Sequence, residues 1–230
     1  MSDQIVVTDV EGVTDIFGVH GATGMSHWKC LASRRHLRGD WEAVELARVP
    51  PGGLSGEHRH TRTEEIYYVV AGEGEMSLDG VGHRVAAGSV VLTGLGTIHG
   101  LRNTGATDLD WITVEVRVPH PVSPLEEKVN AHIHDLRAAG ELDTTAFFTG
   151  PLRRVAVRTM AADTELPLHA VGVEHAIFVL AGSGKAETVE LRPGVAVTLP
   201  LGTGAQVSAG PDGLEFFHVE LTVPRSRSQR

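Results

Sequence analysis

An internal repeat constrains this chain more than any other feature. Tyr67–Gly74 resembles Ile177–Gly184, Gly88–Thr97 resembles Gly194–Thr203, and Trp111–Pro119 resembles Phe216–Pro224. The three blocks recur in the same order, at offsets of 110, 106 and 105 residues. The offset shrinks because the second copy has a shorter link between Gly184 and Gly194. The first copy uses that stretch for a hairpin turning at Asp79-Gly80, a pair that accepts the positive φ angles of a tight turn. Two copies of one unit are therefore expected, and 230 residues suffice for two small domains.

Each copy reads as short β-branched runs broken by Gly, Pro or Asp. Trp41–Val49, Glu65–Val70, Gly74–Leu78, Ser89–Thr93 and Asp110–Val118 are examples. This cadence predicts an all-β sandwich or barrel rather than βαβ units. One helix is expected between the copies. Ser123 offers an N-cap, Pro124 a first helical position and Glu126 a capping-box partner. Leu125, Val129, Ile133 and Leu136 follow helical spacing, and Gly140 stands where a C-cap glycine belongs. His132 and His134 then read as surface helix residues. The expected division is 1–119 for the first unit, 120–149 for the helical connection, 150–224 for the second unit and 225–230 for a frayed basic tail.

The first copy concentrates the chemistry. Gly52, His58, His60, Glu65 and Gly72 form one punctuated string, and Gly88, Gly94, Gly96, His99 and Asn103 form another. This pair resembles the two signature motifs of the cupin superfamily, with Gly94 standing where proline is usual. The resemblance implies two tandem cupin jelly-roll β-barrels, a bicupin, with the motifs intact in the N-terminal one. It also implies one divalent metal ion on His58, His60, Glu65 and His99.

The residues support this on their own terms. His58 and His60 are two apart, so on an extended strand they project to one face. Imidazoles with one carboxylate suit Fe, Mn, Ni, Co or Zn. Four protein ligands on an octahedral ion leave two positions for water, substrate or O₂. Glu64 competes with Glu65, but adjacent strand residues face opposite ways, and the step to Gly72 favours Glu65. Tyr67 and Val69 share the face of Glu65, so Tyr67 is a candidate to touch substrate, with a packed barrel aromatic as the alternative. Trp111, Thr113 and Glu115 share one face, inner or outer. Asn103 is expected to fix a turn, and Arg59 to point away from the metal. His27, Trp28 and Lys29 read as a plain edge strand, with a cluster closing over the site as the alternative.

The second copy lacks this apparatus. Its equivalent positions hold Leu168, Ala170, His175 and Ala205, and only His169, His175 and His218 could contribute to a second site. A structural role is expected for it, covering a face of the first copy or forming a homodimer surface.

Other classes are disfavoured. A formal charge of −9 opposes nucleic-acid binding, and no apolar run is long enough to span a bilayer. The start lacks the pattern of a signal peptide, and the single cysteine, Cys30, allows no internal disulfide. A cytoplasmic location is expected, with Cys30 an inert thiol. No arginine clamp for 2-oxoglutarate stands out. The expected function is a metal-dependent enzyme acting on a small organic molecule. A dioxygenase-type oxidoreductase comes first, with Glu65 doubling as a base. A redox-neutral isomerase, cyclase or lyase comes second, and a non-catalytic ligand-binding module third.

Overall fold

The computed structural model describes residues 4–118 and 131–223. The N-terminal part contains β1 (Val6–Asp9), β2 (Thr14–Phe17), β3 (Met25–Ser33), β4 (Trp41–Val49), β5 (Leu54–Arg59) and β6 (Thr63–Ala71). It continues through β7 (Glu73–Leu78), β8 (Val81–Ala86), β9 (Ser89–Thr93), β10 (Ile98–Asn103) and β11 (Leu109–Arg117). The C-terminal part contains β12 (Ala131–Asp135), helix α1 (Leu136–Ala139), β13 (Glu141–Asp143), β14 (Leu152–Met160) and β15 (Glu165–His169). It ends with β16 (Val173–Ala186), β17 (Val189–Leu191), β18 (Val195–Leu199) and β19 (Gly204–Thr222).

The fold is all-β, as expected, and built of antiparallel sheets. Sheet order is β12-β9-β6-β11-β4-β3-β2 in a seven-stranded sheet and β5-β10-β7-β8 in a four-stranded one. These two face each other across Val49, Tyr67, Val69, Val91 and Trp111 on one side and Met76, Leu78, Val85 and Leu101 on the other. The jelly roll is thus a pair of facing sheets rather than a closed cylinder. The second copy is one eight-stranded sheet, β1-β18-β16-β19-β14-β13, with β15 and β17 on its long strands. It wraps its own core, which includes Ile177, Val179, Val197, Val207 and Phe216.

Strand alternation explains how the two copies meet. On β6, Tyr67 and Val69 enter the first core, while Ile66 and Tyr68 point the other way. On β19, Phe216 enters the second core, while Phe217 and Val219 point out of it. These outward sets form a third apolar layer that seals the copies together, with Tyr68 stacked on Phe217 at 4.5 Å. Strands buried on both faces read as continuous apolar runs, which is why the repeat was so visible.

The copies also trade edge strands. β1 pairs with β18 of the second copy, and β12 pairs with β9 of the first. Here the helix expectation needs correction. Ala131–Asp135 is a strand, with Ile133 opposite Val91. Five residues cannot distinguish helical from alternating spacing, and the open edge of β9 rewards a strand with hydrogen bonds. His132 and His134 are half-buried against Phe147, with ring centroids 4.6 and 5.3 Å away, rather than surface helix residues. The helix is the single turn α1, capped by the Asp135 carboxylate accepting from Ala138 N and ended by Gly140 at φ 71°. The Ser123–Val129 part of the expected helix and the 225–230 tail lie outside the described residues.

The repeated glycines have a steric cause. Gly72 and Gly182 take φ of 82° and 78°, and a Cβ on either would strike the carbonyl of Asp108 or Gly213.

Candidate metal centre

Three strands deliver the four motif residues to one point between the sheets. β10 pairs with β5 so that His99 lies opposite His58. His60 follows immediately after β5, two residues on, and shares the face of His58. Glu65 comes from β6 in the facing sheet. One nitrogen from each histidine and one Glu65 oxygen all lie within 4.8 Å of one another.

Hydrogen bonds around the rings set their tautomers. His58 Nδ1 lies 3.0 Å from the carbonyl of Gly56, which can only accept, so Nδ1 carries the proton and Nε2 is a free lone pair. The Thr63 hydroxyl donates to Glu115 at 2.6 Å, so His60 Nδ1–H donates to Thr63 at 2.7 Å. That again frees Nε2. Glu115 Oε1 is also 3.1 Å from His60 Nδ1. Such carboxylate and carbonyl partners are how proteins orient imidazoles toward a metal.

The lone pairs then have nowhere to go. Nε2 of His58, His60 and His99 and Oε2 of Glu65 are buried and make no aligned hydrogen bond. Glu65 Oε2 stands 2.7 Å from His99 Nε2 and 3.5 Å from His60 Nε2, close but not aligned. The Nε2 lone pairs of His58 and His60, buried beside Glu65 Oε2 and the His99 ring with no aligned donor, would be costly. A divalent transition ion removes that cost, and three imidazoles with a carboxylate suit one.

Electrostatics fit the same reading. Burial, then His99, push the His58 pKa down to about 4, so its ring is neutral and ready to coordinate. Burial would lower His60 too, but its bond to Glu115 and the charges of Glu65 and Glu115 raise it instead. Burial would raise Glu65, yet contact with His99 and the charges of His99, His60 and His58 lower it, so it stays ionised.

The neighbouring side chains sort as alternation requires. Tyr67 is buried beside the group, its ring edge-on to His99 at 5.5 Å and to Trp111 at 5.9 Å. Burial, then Glu65, raise its phenol well above its usual value. Trp111 and Glu115 face the interior, resolving that ambiguity. Glu64 faces away, accepting from Thr149 N at 2.8 Å and Gly150 N at 3.0 Å. Asn103 does fix a turn, donating to Val49 O and Thr107 O and accepting from Gly105 N. His27, Trp28 and Lys29 lie within β3, and His27 pairs with Asp15 at 2.7 Å. Cys30 stays apart, its thiol raised by burial.

A cleft of about 690 Å³ opens beside the group, and His60, Thr63 and Glu115 line it. Arg34, Arg59, Arg62 and Arg117 also line it, against the carboxylates of Glu42 and Glu115.

Comparison with known proteins gives the same picture. The Cupin domain family matches residues 45–115, the stretch holding all four motif residues. The oxalate-binding protein of Thermotoga maritima is 33% identical over 104 residues, covering 45% of this chain and 84% of its own. The chain belongs to the cupin superfamily. Among solved structures, the Escherichia coli pirin YhhW in complex with nickel(II) superposes with a TM-score of 0.73 at 13% identity, covering 96% of this cupin and 100% of that chain. Salicylate 1,2-dioxygenase of Pseudoaminobacter salicylatoxidans, bound to gentisate, gives 0.61 at 17% identity, covering 80% and 69%. These two likenesses establish fold.

In the second copy of this cupin, a different arrangement fills the equivalent place. Leu168, Ala170 and Ala205 are packed in the apolar core. Arg158 Nε donates to His218 Nδ1 at 3.0 Å. His218 Nε2–H must then donate to His175 Nδ1, 3.1 Å away, and His175 Nε2–H to the carbonyl of His169, 3.2 Å away. Every ring nitrogen is occupied, so the chain of bonds is self-sufficient. Among the described residues the only group of three or more that could hold an ion is the one in the first copy.

Sequence reasoning missed His20 and the arginine collar. Both come from loops and strand ends far apart in the chain, with no motif to mark them. No described helix is long and apolar enough to cross a membrane.

Proposed function

We propose that this cupin is a metal-dependent enzyme acting on a small, oxygen-bearing organic anion, with dioxygenase-type oxidation as the leading reaction. The carrying observation is the set of four buried, converging ligand-type atoms without aligned hydrogen bonds, beside an open cleft. A divalent transition ion held there supplies a Lewis acid for the substrate's oxygens and, if redox-active, a centre for O₂ chemistry.

The chain's own residues supply the rest. His58, His60, Glu65 and His99 hold the ion, and Gly56, Thr63 and Glu115 keep two of the rings aimed. Glu65, ionised, doubles as the proton acceptor. Tyr67 keeps its phenolic proton and orients a substrate oxygen by hydrogen bonding. The arginine collar favours anions: four guanidinium groups face two carboxylates in a protein whose net charge is −9. The solved structures of the pirin with nickel(II) and of the dioxygenase with gentisate support this reading. The second copy, a degenerate cupin unit, serves as the buried wall behind β6.

A second reading is a carrier that binds an anion without changing it. The named function of the Thermotoga relative supports it. The test is elemental analysis of the purified protein, followed by incubation with oxalate, salicylate and gentisate with and without O₂. O₂ consumption coupled to product supports the dioxygenase reading. Retained turnover under anaerobic conditions replaces it with a redox-neutral isomerase, cyclase or lyase. Saturable binding with no product supports the carrier.

A further inference from the structure

The loop between β2 and β3 carries a residue outside both motifs. Val19–Gly21 forms a single 3-10 turn, closed by Gly21 N to Gly18 O at 3.0 Å and Ala22 N to Val19 O at 3.1 Å. His20 itself sits at φ 52°, ψ 38°, between Gly18 at φ 77° and Gly21 at φ 76°. The left-handed region is disfavoured for a residue with a side chain, so the surroundings must enforce it.

Three contacts do so. His20 Nδ1 is 3.1 Å from the Ser55 hydroxyl on β5. On the same strand, a Cβ at Gly56 would run into the carbonyl of His20, so only glycine lets the turn seat this closely. The third contact is the ring itself. His20 stacks on the His58 imidazole with centroids 3.5 Å apart and planes 25° apart. His58 is thereby held on two sides, by the Gly56 carbonyl at Nδ1 and by the His20 face. His20 is not one of the four converging ligand candidates.

We propose that His20 is a positioning residue of the metal centre: its ring clamps the His58 imidazole, keeps Nε2 aimed at the other ligands and slows loss of the ion. This rests on the metal reading above. An imidazole's second torsion is broad and soft, and the Gly56 bond with the edge-on rings of His60 and His99, at 4.9 and 4.4 Å, leaves one face of His58 to be fixed. A stacked ring removes that freedom, as outer partners of metal ligands generally do.

The test uses the full chain loaded with Co²⁺, comparing wild type, His20→Ala and His20→Phe. Folding is checked by circular dichroism and melting temperature. Ion release into excess EDTA is followed by the loss of visible absorbance, and affinity by chelator competition. His20→Ala should release Co²⁺ about 10–100-fold faster and bind it correspondingly more weakly. His20→Phe, which restores a ring face without a nitrogen, should return to within about threefold of wild type. Wild-type release from His20→Ala would overturn the proposal. So would a His20→Phe variant as fast as His20→Ala, because the nitrogen rather than the stacked face would then matter. A wild-type protein that takes up no stoichiometric Co²⁺ overturns the metal reading itself, and this proposal with it.

Discussion

Glu64 and Glu174 stand at equivalent places in the two copies, and each grips the other copy's backbone. Glu64 receives hydrogen bonds from Thr149 N, the Thr149 hydroxyl and Gly150 N, where the chain enters the second copy. Glu174 receives them from Arg38 N, Gly39 N and Trp41 Nε1 of the first copy, and from Leu201 N. Each is the neighbour of the inward-facing position, Glu65 or His175, so one strand serves the site with one residue and the interface with the next. Glu174 is wholly buried, and removing its carboxylate strands four donors. Glu174→Ala should cost about 3–5 kcal/mol in chemical denaturation, and Glu174→Gln less. A change below about 0.5 kcal/mol for Glu174→Ala would contradict the clamp.

His99→Ala and His58→Ala should each lose the bound ion, weakening affinity by more than about 100-fold, since direct ligands matter more than outer ones. The melting temperature of wild type should fall on chelation, while that of the variants should not respond. Full metal content in both purified variants would remove these residues from the site.

Glu115 acts one step further out. It accepts from Thr63 and faces His60 Nδ1, so Glu115→Gln keeps the shape and removes the charge. The expected loss of metal affinity is about 10-fold, with the fold intact. Unchanged affinity in a chelator competition would show that Thr63 alone orients His60.

Acid sensitivity should arise partly in the second copy. Burial holds His218 well below the usual imidazole range, with His175 and Arg158 adding to the shift, and burial likewise lowers His175. Both take up protons at lower pH in the folded protein than in the unfolded chain, which does so below about pH 6.5. Their contribution is therefore intact above that pH and falls as pH drops, by up to about 1.4 kcal/mol per unit for each histidine. His58 adds the same sign, and His60, whose pKa is raised, adds the opposite one. For the metal-free protein, denaturation between about pH 7 and 5 should show this slope, and His218→Gln should flatten it. An equally steep profile in that variant would place the acid sensitivity elsewhere.

The arginine collar predicts a ligand preference. Glu42 engages Arg34 at 3.5 Å and Arg117 at 2.6 Å, while Arg62 is exposed at the cleft. Arg62→Glu should weaken oxalate binding to the metal-loaded protein about 3–10-fold and reduce its salt dependence, without changing metal content. Calorimetric titration showing equal affinity would disconnect the collar from the ligand.

The four motif residues were legible in the sequence because each obeys a local rule. Strand alternation puts His58 and His60 on one face and separates Glu64 from Glu65, and glycine punctuation marks the turns between them. The repeat itself was legible because backbone sterics demand glycine at both Gly72 and Gly182. The same alternation left Trp111 and Glu115 ambiguous, since a strand buried on both faces gives no polarity signal. It also failed at Ala131–Asp135, where the open edge of β9 decided between strand and helix.

The metal centre named by the sequence keeps its four residues, and tertiary structure decided everything that orders them. Local pattern sets which side chains can share a face, because side-chain direction follows backbone period. Which faces then meet depends on contacts far apart in the chain. His20 reaches His58 only because β5 carries a glycine where the turn crosses it. Glu115 reaches His60 only because β11 pairs with β6. His175 and His218 are closed off from metal only because Arg158 lies beside them.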